Sequence, residues 1–191
     1  MKILKWVLMV LVAIIALLLI VAAFVDKEYV VIRDITINQP DSLVFDYLKY
    51  LKNQDNFTTW SKMDPNVEKS FRGTDGTVGA VAGWKSENPD VGSGEQEIIK
   101  IEEGKRIDYE LRFFEPWESK GYAYFEIESV VENQTKVEWG FEGKMDYPWN
   151  LMMLFMDMEK MLGPSLEEGL QNLKNLLETS AVEEPAGQPA E

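Results

Sequence analysis

The chain has 191 residues, a length that fits one domain with a small additional element. It contains no cysteine and no histidine, which excludes disulfides, thiol nucleophiles, Cys-ligated zinc or iron–sulfur clusters, Ser–His–Asp triads and histidine-ligated metals. Its formal charge of −14 argues against nucleic-acid binding, which needs a basic face to displace counterions.

Trp6 to Val25 are twenty consecutive apolar positions. As a helix they span about 30 Å, the thickness of a bilayer's hydrocarbon core. Lys2 and Lys5 precede them, so the positive-inside rule puts the N-terminus in the cytoplasm and the rest of the chain across the membrane. Cleavage after a signal sequence is the alternative, because Val21-Ala22-Ala23 offers small residues and would release a secreted or periplasmic domain. Signal-peptide apolar regions run about 7–15 residues, however, and this one is longer. Residues 1–25 are therefore expected to be a single-pass signal-anchor.

The soluble domain is expected over residues 26–178. Lys27 to Ile37 is rich in Val, Ile, Tyr and Thr and reads as a strand. Asn38 is a candidate helix cap, with Pro40 in the first turn and Asp41 near the positive end of the dipole. Val44, Tyr47 or Leu48, and Leu51 then share one helix face. The polar stretch after Asn53 carries Phe57 and Trp60 at a spacing that suits a short helix with both rings turned inward.

From Val67 the period changes to that of strands. Segments 67–72, 78–86, 94–102, 106–115, 118–131 and 135–144 alternate with turn residues at Gly73-Thr74-Asp75-Gly76, Asn88-Pro89-Asp90, Glu103-Gly104-Lys105 and Glu132-Asn133-Gln134. The spacing is that of an antiparallel meander. Ile107, Tyr109, Leu111 and Phe113 alternate with Asp108, Glu110 and Arg112, and Val137, Trp139 and Phe141 alternate with Glu138 and Glu142. One face of the sheet is therefore covered and the other is wet. The carboxylate pairs Glu95/Glu97 and Glu126/Glu128 belong to that wet face, not to a general acid–base pair. No calcium-loop or phosphate-loop spacing accompanies Asp64, Asp157 or Gly92-Ser93-Gly94. Asn56-Phe57-Thr58 and Asn133-Gln134-Thr135 match the glycosylation sequon, a match short enough to arise by chance.

Pro148 to Leu162 is strongly apolar and is expected to cover the sheet as a helix, with Gly163-Pro164 bending or restarting it. Leu166, Leu170, Leu173 and Leu177 continue an amphipathic face. Gly169 sits at the edge of that face, where a missing side chain lets a strand approach closely. Residues 179–191 contain little that could be buried and read as a disordered tail.

This order of elements resembles the START-like helix-grip superfamily, which includes the polyketide cyclase/dehydrase and lipid-transport group (SRPBCC). The carrying segments are Ile35–Leu48, Asp55–Asn66, Gly73–Trp84, Gly92–Ile98 and Gly163–Glu178. The resemblance implies an α+β fold: a curved antiparallel sheet of about seven strands gripping a long C-terminal helix, here preceded by one transmembrane helix. It also implies an apolar cavity between the covered sheet face and the Pro148–Leu162 segment. Trp60, Trp84, Tyr109, Phe113, Phe125, Trp139 and Phe141 are then candidate ligand contacts, together with Met152, Phe155 and Met156. Five methionines, at 152, 153, 156, 158 and 161, give that segment the adaptable surface a variable ligand needs, although methionine also serves as an ordinary gap-filler.

The resulting expectation is membrane-anchored binding of a lipid or other hydrophobic small molecule by a monomer, with no cofactor and no metal. Two other readings stay open. One is a cyclase or aromatase working through shape and a few polar groups; the other is a ligand-free interaction or stress-response module. An apolar pocket, convergent buried polar groups, or a filled core would respectively distinguish them.

Overall fold

The computed structural model describes residues 2–180. Its first helix, α1 (Lys2–Ala22), is long and apolar enough to cross a membrane, and its side chains are exposed along nearly its whole length. Strand β1 (Glu28–Ile37), helix α2 (Asp41–Leu48), a 3-10 turn (Leu51–Asn56) and the short helix α3 (Trp60–Met63) follow. Then come β2 (Glu68–Arg72), β3 (Val81–Lys85), β4 (Ser93–Glu102), β5 (Arg106–Glu115), β6 (Ser119–Val131) and β7 (Gln134–Lys144). A second 3-10 turn (Trp149–Leu154) leads to the helix α4 (Met158–Ser180).

The strands form one antiparallel sheet in the order β1-β7-β6-β5-β4-β3-β2. Six of them form an uninterrupted meander, and β1 closes the far edge beside β7. The pleat sends Ile107 and Tyr109, Phe125 and Ile127, Val137 and Trp139 to one face, where all are buried. Helix α4 lies against that face through Leu166, Leu170, Leu173 and Leu177, all buried. Each such leucine contributes about 1.5–3 kcal/mol of burial. The outer face is tied by ion pairs, centred on Arg112, which bonds Glu95, Glu97 and Glu110 at 2.7–2.8 Å.

Two local expectations change. Asn38 does not cap α2; Pro40 holds that position. Asn38 instead donates its backbone N–H and Nδ2 to Glu178 Oε1, at 2.7 and 2.9 Å, pinning the end of α4 to the β1–α2 connection. The Pro148–Leu162 segment is not one helix, and α4 does not restart at Gly163-Pro164. It begins at Met158, where Asp157 accepts the Lys160 N–H as an N-cap, and it runs on through Pro164. The proline removes one backbone bond. Gly163 leaves the space filled by the Arg33 guanidinium, which pairs with Glu159 one turn earlier. The helix also extends through Thr179 and Ser180. The remainder of the expected tail, 181–191, lies outside the described residues.

Candidate functional site

The inner face of the sheet is filled at one end and open at the other. At the filled end Phe125 and Trp139 pack at 4.9 Å between ring centroids. Phe57, delivered by the turn after Asn56, meets both at 6.1 and 6.0 Å. Trp60 adds an edge-on contact to Trp139 at 5.7 Å, and Tyr109 one to Phe125 at 6.0 Å. Tyr109, Phe125 and Trp139 are buried and Trp60 is half-buried. These four anticipated residues are brought together as a close-packed aromatic core, each pair contributing about 0.5–1.5 kcal/mol beyond its area.

Along β5 Tyr109 is buried, whereas Leu111 and Phe113 are half-buried. At this open end Trp84, Phe113, Phe141 and Tyr29 are half-buried. Trp84 meets Phe113 at 5.9 Å, and Tyr29 stacks on Phe141 at 6.3 Å. Three rings lie over glycines of the neighbouring strands: Trp84 over Gly94, Phe141 over Gly121, and Tyr29 over Gly143. A Cβ at Gly121 would come 2.9 Å from Phe141 Cζ. With glycine beneath them, the rings can lie along the sheet.

Of these rings, Tyr29 also lines a groove of about 500 Å³ between β1 and the connection from the second 3-10 turn to α4. Tyr29 and Val31 line its sheet side, and Met153, Phe155, Met156 and Met158 line the other. Of the anticipated contacts in this segment, Met156 is half-buried and Phe155 is 86% exposed at the rim. Met152 is exposed and lies outside the groove lining. A second depression, about 520 Å³, lies on the outer face among Arg106, Asp108, Tyr124 and Glu142. Arg106 sits there 3.8 Å from the Tyr124 ring centroid, and Tyr124 donates to Glu138 at 2.8 Å. Burial and that bond push the Tyr124 hydroxyl up to about 12. This second site is lined mainly by charged side chains, whereas the first is mainly apolar with Asp157 and Glu159 in its lining.

Polar groups reach the inner face sparingly. The inward positions of β4 to β7 carry Gln96, the Tyr109 hydroxyl and buried Thr135, whose hydroxyl donates to the Gln39 carbonyl at 2.7 Å. Gln96 Nε2 donates to Gln54 Oε1 at 3.2 Å, and the buried Gln54 Nε2 has no partner among the described residues. Tyr109 donates to the Leu48 carbonyl at 3.3 Å; burial drives its pKa far above the ordinary tyrosine value, so it is a donor and not a base. Beyond apolar contact, the sheet face offers a few neutral hydrogen-bonding groups, and at the β1 edge the Arg33–Glu159 ion pair.

The sequence reading turned Phe57 inward and counted Met158 among the methionines of the wall, but it did not single out Tyr29 as a groove wall or Arg33 as an inward side chain. The β1 alternation Tyr29, Val31, Arg33, Ile35, Ile37 carried the last signal, since it places a charged side chain on the inner face.

A curved antiparallel sheet gripping a C-terminal helix, with an apolar groove at one end, defines a helix-grip domain of the START-like class. Residues 30–178 match the family model described as polyketide cyclase / dehydrase and lipid transport, and the chain belongs to that family. No curated protein matches the chain in sequence. Among solved structures, a norcoclaurine synthase point mutant from Thalictrum flavum, in complex with a transition-state analogue, is 10% identical with a TM-score of 0.59, covering 82% of this chain and 99% of that one. The crystal structure of Ara h 8.0201 is 16% identical with a TM-score of 0.55 over 80% and 99%. The Aha1 dimer from Colwellia psychrerythraea is 16% identical with a TM-score of 0.54 over 78% and 96%. At these identities the likeness is one of fold.

Proposed function

We propose that this chain is a membrane-anchored binding protein for a lipid or other hydrophobic small molecule, held in the groove between β1 and the Met153–Met158 segment. The observation that carries the reading is the groove itself: about 500 Å³ of space walled by Tyr29, Val31, Phe155 and three methionines, with Asp157 and Glu159 also in its lining, in a family described as polyketide cyclase / dehydrase and lipid transport. Thioether walls repack around ligands of different shape, and each ligand CH2 removed from water contributes about 0.8 kcal/mol. Affinity therefore rises with acyl chain length until the groove is filled. The anchor supports the same reading, because α1 holds the groove beside the phase in which such ligands dissolve.

The test is displacement of an environment-sensitive fatty-acid probe from the detergent-extracted full chain, with mass spectrometry of whatever co-purifies. Met156→Lys places an ammonium against the apolar wall and is expected to weaken binding more than folding. No binding across the probe series, or binding unchanged by Met156→Lys in a folded protein, would overturn the reading.

A further inference from the structure

The groove opens at the end of the domain that also meets α1, and this end exposes large apolar side chains. Trp117, in the turn between β5 and β6, is 79% exposed, and Trp149, just after β7, is 70% exposed. Phe155 stands at the groove rim, and Phe24, Phe114 and Tyr147 are exposed beside these elements. The register places them at one end: Phe113 pairs with Ser119, Gly121 with Gly143, and Lys144 with Glu28, the first residue of β1. The hairpin turns at the opposite end read Glu103-Gly104-Lys105 and Glu132-Asn133, and the exposed apolar side chains beside them, Val130 and Val131, are aliphatic and carry no ring. An exposed cluster of this kind marks a surface that is covered in use. Tryptophan and tyrosine are the residues that settle at the membrane–water interface.

What covers it follows from how α1 is attached. Buried Asn150 donates its Nδ2 to the carbonyls of Ala22 and Val25, at 2.7 and 2.9 Å, satisfying the helix's last turn from within the domain. Met145 N–H donates to the Lys27 carbonyl at 2.8 Å. Only Ala23 to Lys27 separate α1 from β1, a link that spans at most about 20 Å. We propose that this end of the domain seats in the headgroup layer of the bilayer that α1 crosses, with Trp117, Trp149 and Phe155 inserted, so that the groove opens directly onto lipid. The proposal rests on the membrane-anchor reading above. Its partner is a zwitterionic bilayer: Asp26, Glu28, Glu115, Glu118 and Asp146 outnumber Lys27, Lys120 and Lys144 here, and an acid-rich rim is not drawn to anionic lipid.

The chain's lack of cysteine makes the test direct. Four single-cysteine variants of the full chain, Leu11→Cys, Trp117→Cys, Phe155→Cys and Glu132→Cys, are labelled with an environment-sensitive fluorophore in phosphatidylcholine nanodiscs. Labels at 11, 117 and 155 are expected to lose fluorescence to a quencher carried on the lipid, and those at 117 and 155 to be shielded from aqueous iodide. The label at 132, at the far end, is expected to respond only to iodide. If position 11 is quenched from the lipid but 117 and 155 behave like 132, the seating is overturned while the anchor stands. If position 11 is not quenched, the anchor reading itself has failed and the seating falls with it. Shielding from iodide without lipid quenching would mean that another copy of the chain covers this face, which also overturns the proposal.

Discussion

Gly169 of α4 lies directly against the indole of Trp139 in β7: a Cβ at this glycine would come 2.7 Å from Trp139 Cζ3. The contact sets how closely the helix approaches the aromatic core, because Trp139 is buried against Phe125 and Phe57 and has nowhere to move.

Gly169→Ala therefore sets two effects against each other. Alanine gains about 1 kcal/mol of helix propensity, while overpacking a filled core costs about 1–3 kcal/mol. The expected net result is destabilisation, read as a lower denaturant midpoint. Combined with Trp139→Phe, the alanine should be tolerated, giving a non-additive double-mutant cycle. Simple additivity would show that the two residues do not touch.

Leu170 is buried on the next position of α4 and Glu168 is exposed beside it. Leu170→Ala is expected to cost about 2–5 kcal/mol, and Glu168→Ala to stay within about 0.5 kcal/mol. Chemical denaturation of the two variants checks the assignment of the helix's covered face.

Acid stability should centre on Arg112. Its guanidinium hydrogen bonds hold the Glu110 carboxyl below the usual carboxylate range; for Glu95, burial pushes upward but the bonds from Arg112 and Arg72 outweigh it. Carboxylates lowered in the folded state give stability that is complete above the unfolded pKa, near pH 4–5, and is lost as pH falls through the folded value. Arg112→Ala is expected to cost about 1–2 kcal/mol at pH 7 for a network that is partly exposed. It should also flatten the stability loss below about pH 4. Equal acid slopes for the variant and the parent would contradict this.

Orientation is a separate expectation. With Lys2 and Lys5 on the cytoplasmic side, a reporter fused after Glu191 that works only outside the cytoplasm should be active. Activity from a cytoplasm-restricted reporter alone would reverse the topology.

The strands from β4 onward were legible because alternation such as Val137, Trp139, Phe141 has only one solution when one face is covered. The break between the second 3-10 turn and α4 was not legible, since Trp149 to Met161 contains no glycine or proline to mark it. It is decided by Asn150, drawn into the end of α1 128 positions away, and by Asp157 restarting the helix. The candidate site divided in the same way. Periodicity put Tyr109, Phe113, Phe125 and Trp139 on one face, but which end is filled depends on Phe57 arriving from a different segment. The open end depends in turn on glycines 94, 121 and 143 lying under neighbouring rings. Arg33 escaped notice because an arginine in a strand is ordinarily read as solvent-facing, whereas this one is held inward by Glu159 and by the space at Gly163.

The most direct test of the account is to photolabel the full-length protein with a diazirine-bearing fatty acid and map the adducts by peptide mass spectrometry. The expected adducts fall on the strand carrying Tyr29 and Val31 and on the Met153–Met158 segment, and an excess of unlabelled long-chain fatty acid removes them. Labelling that resists this competition, or competable labelling confined to the outer face around Tyr122 and Tyr124, would contradict it.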